Sequence, residues 1–129
     1  MEPEAFNWIS VIAGTIAAFL LGWAVYSPML FGKRWAEGSG VELGAASAMP
    51  VGAMLLQLAA LFGLACLVSR TAMTHDLYTA IIGILTAAAF VTSTGKFSGK
   101  STYALVVDGG YIIAAGALMI VIRGIAGAM

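Results

Sequence analysis

Charge is scarce in this chain. Six lysines and arginines and six aspartates and glutamates are spread over 129 residues, a charged share of 9% beside a hydrophobic share of 61%. Water-soluble domains carry roughly 25% charged and about 45–50% apolar residues, so the medium around most of this chain is lipid. Cysteine is scarce as well. Cys66 stands alone, which excludes an intrachain disulfide, a CxxC redox pair and a thiolate metal site, each of which needs a second cysteine. A lone thiol in apolar surroundings reads as a small packing hydrophobe. The single histidine, His75, lies in the polar turn from Arg70 to Asp76. With Asp76 beside it a metal or pH-sensing role is open, yet no second ligand lies near in sequence and a solvated loop residue is the plainer reading. No cofactor, no metal and no nucleic-acid partner is expected.

What the chain has in abundance is apolar length. A hydrocarbon core takes about 20 helical residues at 1.5 Å rise each, and four stretches reach that: Trp8 to Phe31, Pro50 to Ser69, Leu77 to Gly95 and Thr102 to Ile122. The expectation is an all-α polytopic membrane protein, one four-helix transmembrane domain over residues 1–129. The connections are too short to hide a soluble module, so any chemistry sits among or at the ends of the helices. Glu2 and Glu4 stand where a secretory signal would be basic, and the first apolar run is too long for its core, so the first helix is expected to be retained. Lys33, Arg34, Lys96 and Lys100 follow the first and third spans, whereas Arg70 and Arg123 fall on the other side. The positive-inside rule therefore predicts cytoplasmic first and third connections and both termini outside, in a cytoplasmic (inner) membrane. Trp8 and Tyr78 suit one interfacial belt, and Trp35, Phe97 and Tyr103 the other. Lys33, Arg34, Lys96 and Lys100 are expected to touch anionic headgroups.

Polar residues inside the apolar runs point to a site. Asn7 is placed to cap the first helix. Gly14, Ala18 and Gly22 then recur every four residues, a ladder of small side chains that admits a neighbouring helix, with Tyr26 on the same stripe. Pro28 has no N–H, so the Ala24 carbonyl loses its helical donor and the last turn should kink or stop. The third span ends in Thr92, Ser93, Thr94, Gly95 and Lys96. Asp108 lies six residues into the fourth, ~9 Å along the axis, sharing a face with Lys100, Ala104, Tyr111 and Ala115. A carboxylate facing lipid costs ~2.5–3.5 kcal/mol at the bilayer centre, so Asp108 should face protein or water. The expected arrangement is a polar cluster of Tyr26, Ser27, Thr92, Ser93, Thr94, Asp108 and Tyr111 near the cytoplasmic end.

Gly95 to Ser101 reads GKFSGKS, but it is no phosphate-binding P-loop: the spacing is one residue short and no strand precedes it. Gly32-Lys33 and Gly99-Lys100 match as helix endings, with little correspondence beyond them. Between Arg34 and Met49, Glu37 to Ala46 could form a short interfacial helix.

Asn7-Trp8, Tyr26-Ser27-Pro28 with Phe31-Gly32-Lys33 and Trp35, and Asp108-Gly109-Gly110-Tyr111 resemble the bacterial membrane family catalogued as domain of unknown function 1761. The resemblance spans nearly the whole chain and implies a compact four-helix membrane protein, with no established activity to carry over. Two roles follow from the residues. One is a helix-packing or accessory protein, as a homo-oligomer or with another membrane protein. The other is a small proton- or cation-coupled transporter or channel using Asp108. An enzyme is a weaker reading, because a lone carboxylate with tyrosines lacks a paired acid and base, a nucleophile triad or a metal set.

Overall fold

The computed structural model describes residues 6–27, 29–40 and 51–128. Among them the chain forms five helices and no strand: α1 (Trp8–Val25), α2 (Gly32–Ser39), α3 (Val51–Ala72), α4 (Leu77–Phe97) and α5 (Thr102–Ala128). Four are long and apolar enough to cross a membrane. The fifth, α2, is a short amphipathic helix.

Each boundary has a local cause. Asn7 opens α1, its side chain accepting the Ser10 N–H at 2.9 Å, which satisfies one of the orphan donors of a helix start. The first span is shorter than the run Trp8 to Phe31 suggests, because α1 stops at Val25. There the Ala24 carbonyl takes the Ser27 N–H at 3.2 Å and the Val25 carbonyl the Phe31 N–H, so the backbone is satisfied while the chain folds back. A Cβ on Gly32 would collide with the Tyr26 carbonyl and the Ser27 backbone; only glycine lets the turn close this tightly. Pro28 lies outside the described residues. The second span runs to Ala72, three residues past Ser69. The third runs to Phe97, and the fourth to Ala128 where Ile122 was expected. Arg123 does not end α5, because its side chain lies inside the bundle, 7% exposed. The interfacial helix expected at Glu37 to Ala46 begins earlier, at Gly32, and ends in Gly40 with φ +74°; residues 41–50 lie outside the described set.

The last helix is the hub, packing against α1, α4, α2 and α3. Its buried Tyr111, Ala115 and Met119 meet Val11, Ala18, Leu61, Ala65, Val68, Ala80 and Ile84. Small residues set the closeness. A Cβ on Gly14 would stand 3.3 Å from Met119 Cγ, and one on Gly116 would overlap Ile84. α1 and α3 run antiparallel, joined at one end by Ser10 and Ser69 with their hydroxyls 2.5 Å apart. Outward-facing Ile9 (74% exposed), Leu56 (73%) and Phe90 (69%) complete the picture. Apolar bulk outside and small or polar residues inside is the pattern of helices dissolved in lipid.

Candidate functional site at Asp108

The α4–α5 turn prepares the site. α4 ends in a Schellman motif: Gly99, with φ +83°, donates its N–H to the Lys96 carbonyl at 3.1 Å, and Lys100 donates to Gly95 at 3.0 Å. A left-handed glycine after the last helical turn closes such a motif. The segment GKFSGKS is thus a helix stop that turns the chain back. Ser101 then accepts the Ala104 N–H at 3.1 Å and α5 begins. As a result the Lys100 side chain returns over the first turns of α5, its stem lying against the place where a Gly95 side chain would be.

Asp108 is the meeting point. Its Oδ2 accepts Lys100 Nζ at 2.8 Å. Its Oδ1 accepts the Tyr26 hydroxyl at 2.6 Å and Trp35 Nε1 at 2.8 Å. Tyr26 caps the end of α1, Trp35 comes from α2, and Lys100 from the turn before α5. Asp108 is buried, 6% exposed as a residue, and its partners are all donors, the complement of an ionised carboxylate, which can only accept. The aromatic rings brace one another: Tyr26 and Trp35 meet edge to face at 4.8 Å, Tyr26 and Tyr111 at 5.6 Å.

One turn further along α5, Tyr111 donates its hydroxyl to the Ala18 carbonyl at 2.6 Å. Gly22 makes this possible, since a Cβ there would stand 2.9 Å from the hydroxyl and 3.0 Å from the ring carbon bearing it. Gln57 of α3 stands with Tyr111 on the wall of one cavity. The small-residue ladder thus works in parts: Gly14 receives Met119, Ala18 supplies a carbonyl and Gly22 makes room for Tyr111. A cavity of 660 Å³ adjoins these groups, between α1 (Phe19, Gly22, Trp23) and α3 (Ala53, Met54, Gln57). Tyr26, Ser27, Trp35, Lys100, Asp108 and Tyr111 also line it.

The matching family model covers residues 9–124 and is described as protein of unknown function (DUF1761). The chain belongs to this DUF1761 family. No curated protein and no solved structure matches it. The DUF1761 match includes Asp108 and every residue that donates to it, so the site lies within the family's region and not in an appendage to it.

The expected cluster is brought together only in part. Tyr26, Asp108 and Tyr111 meet, and Ser27 lines the cavity beside them. Thr92, Ser93 and Thr94 do not join them. Thr92 donates back to the Ala88 carbonyl at 2.7 Å and faces Gly109, while Ser93 and Thr94 are exposed on α4. Residues 108 and 109 point in different directions on α5, so α4 packs on one flank of the helix and Asp108 looks to the other. Three participants were not placed in the cluster: Trp35, read as a belt residue, Lys100, read as a headgroup contact, and Gln57. For Gln57 a signal existed, a carboxamide within an apolar run. Lys33, Arg34 and Lys96 are exposed, with the Arg34 guanidinium 4.1 Å from the Tyr103 ring centroid. Among the described residues no group of three or more His, Cys, Asp or Glu side chains could hold a metal.

Proposed function

We propose that this chain is a helix-packing membrane protein, acting as a homo-oligomer or as an accessory subunit of another membrane protein, in which Asp108 is a structural latch. The observation that carries the reading is the source of the donors to its carboxylate: the end of α1, α2 and the α4–α5 turn. One buried charge thereby ties together segments far apart in sequence. Hydroxyls on the outer face of α4, Thr86 and Ser93 beside Ile82, Leu85 and Phe90, support a protein neighbour there as well as lipid. By the distribution of lysine and arginine the latch lies at the cytoplasmic end, with both termini outside. Carboxyl infrared absorption in lipid, with Asp108→Asn as the blank, tests the latch. A band that stays in the carboxylate form across physiological pH is the expected result.

Proton- or cation-coupled transport is the second reading, and the cavity beside Asp108 favours it. Under that reading the carboxyl band titrates within the physiological range. Asp108→Asn then folds normally in reconstituted vesicles yet loses pH-dependent solute movement. Retention of that movement in the variant would exclude Asp108 as the coupling group.

A further inference from the structure

We propose that the cavity beside Asp108 binds an organic ammonium ion with an apolar body, and that Lys100 is a tethered cation occupying the head position of that site. The inference requires neither transport nor an oligomer. It goes beyond the latch by making one of its arms exchangeable.

The site already holds an ammonium. Lys100 Nζ lies 2.8 Å from Asp108 Oδ2 and 5.3 Å from the Trp35 ring centroid, an arrangement in which a carboxylate and an aromatic ring attract the same positive charge. The two partners differ in freedom. Asp108 sits on a long helix and its Oδ1 is held by Tyr26 and Trp35. Lys100 arrives on a flexible four-carbon stem from a turn, and its side chain is 26% exposed against 8% for Asp108. The lysine can therefore swing toward headgroups and water, as such side chains do at membrane surfaces, while the carboxylate stays in place. Departure of Lys100 leaves the Oδ1 pair intact and one oxygen in need of a donor.

Size and charge select the replacement. At 660 Å³ the cavity falls within the roughly 300–1,000 Å³ of sites for drug-sized ligands, far more than a bare metal ion fills. Phe19, Trp23 and Met54 give it apolar walls away from Asp108, and Trp23 is exposed toward the surrounding medium. An anion would meet the buried carboxylate. A neutral molecule would leave that carboxylate without the cation that Lys100 supplied. A cation with an apolar tail satisfies both ends, its head at Asp108 and its body between α1 and α3.

The test is binding of phenethylammonium to the purified full-length protein, by calorimetry and thermal shift, with neutral 3-phenylpropanol and anionic 3-phenylpropionate as comparisons. Removing the competitor with Lys100→Met should tighten phenethylammonium binding. If Lys100 holds the site about nine-tenths of the time, the gain is about tenfold. Phenethylammonium should also raise the unfolding temperature of Lys100→Met, and the two comparison compounds should not. Weaker or absent binding to Lys100→Met would overturn the proposal, as would an equal response to all three compounds. Because charge selectivity is read on Lys100→Met itself, the outcome does not depend on whether Asp108→Asn folds. Where that second variant does fold, loss of binding is expected, and retained binding would place the ligand elsewhere.

Discussion

Asp108 loses different things in different substitutions. Asparagine keeps one oxygen for Tyr26 and Trp35 but presents an amide, or nothing, to Lys100. Alanine strands the Tyr26 and Trp35 donors around a buried site while Lys100 can turn to water, and each buried donor left without a partner costs about 1–3 kcal/mol. The expected order of unfolding stability in detergent or lipid is wild type, Asp108→Asn, then Asp108→Ala. Tyr26→Phe removes one hydrogen bond between α1 and α5 and should cost about 0.6 kcal/mol, the mean for such bonds within membranes, and at most about 1.7 kcal/mol. Asp76 offers a residue-scale test outside the spans. It caps α4, its carboxyl held below the ordinary value by the Thr79 hydroxyl first and the Thr79 N–H second. A carboxylate lowered on folding contributes fully at neutral pH, and that contribution fades as the pH falls below about 4 through the folded-state value. Asp76→Asn keeps a cap without the charge. The difference in unfolding temperature between it and wild type should therefore shrink as the pH falls from neutral through the folded-state value, below which both caps are neutral.

Elements here meet where glycine removes bulk, and the glycines are not equivalent. Gly22→Ala forces Tyr111 off the Ala18 carbonyl, an overpacking change expected to cost about 1–3 kcal/mol. Gly63, on α3 with open space where its Cβ would be, should tolerate alanine without loss of unfolding temperature. The contrast measures packing and not helix propensity, because both substitutions add the same methyl to a helix. α2 is held through Gly38, whose carbonyl accepts the Ser101 N–H at 2.9 Å and whose missing Cβ leaves room for the Ser101 hydroxyl. Gly38→Val should pry α2 from α5, seen as faster hydrogen exchange in α2 and at the Trp35 indole while exchange in α3 and α4 is unchanged. Much of this was legible as a pattern: the Gly14, Ala18, Gly22 ladder announces a close partner. Which helix fills it was not. Spacing of four fixes a face, whereas the choice of Met119 and Tyr111 as occupants follows from how α5 threads the bundle.

For the whole molecule, orientation is the property to measure. Four basic residues on one side against two on the other predict that the end carrying Lys33, Arg34, Lys96 and Lys100 stays in the cytoplasm. In a Cys66→Ser background, Thr74→Cys and Ser98→Cys place thiols in the exposed turns at opposite ends of α4. An impermeant maleimide added to intact cells should label the first and spare the second until the membrane is opened. The reverse pattern would invert the topology and put the Asp108 site on the outer side.

Composition and apolar length decided that this chain lives in lipid as four spans, because the cost of leaving helix backbone or charge unsatisfied in hydrocarbon leaves few alternatives. They also singled out Asp108, since a carboxylate inside such a run demands partners. The partners themselves were a tertiary outcome. Trp35 looked like a surface residue because its type and position suit an interface, and Lys100, although on the Asp108 face, was read as a headgroup contact. Only the early stop of α1, the return of α2 and the Schellman turn at Gly99 carry them inward. Thr92, Ser93 and Thr94 looked like partners because they end at the right depth, yet depth along a helix does not fix rotation about it. The packing of α4 against the flank of α5 left them facing elsewhere.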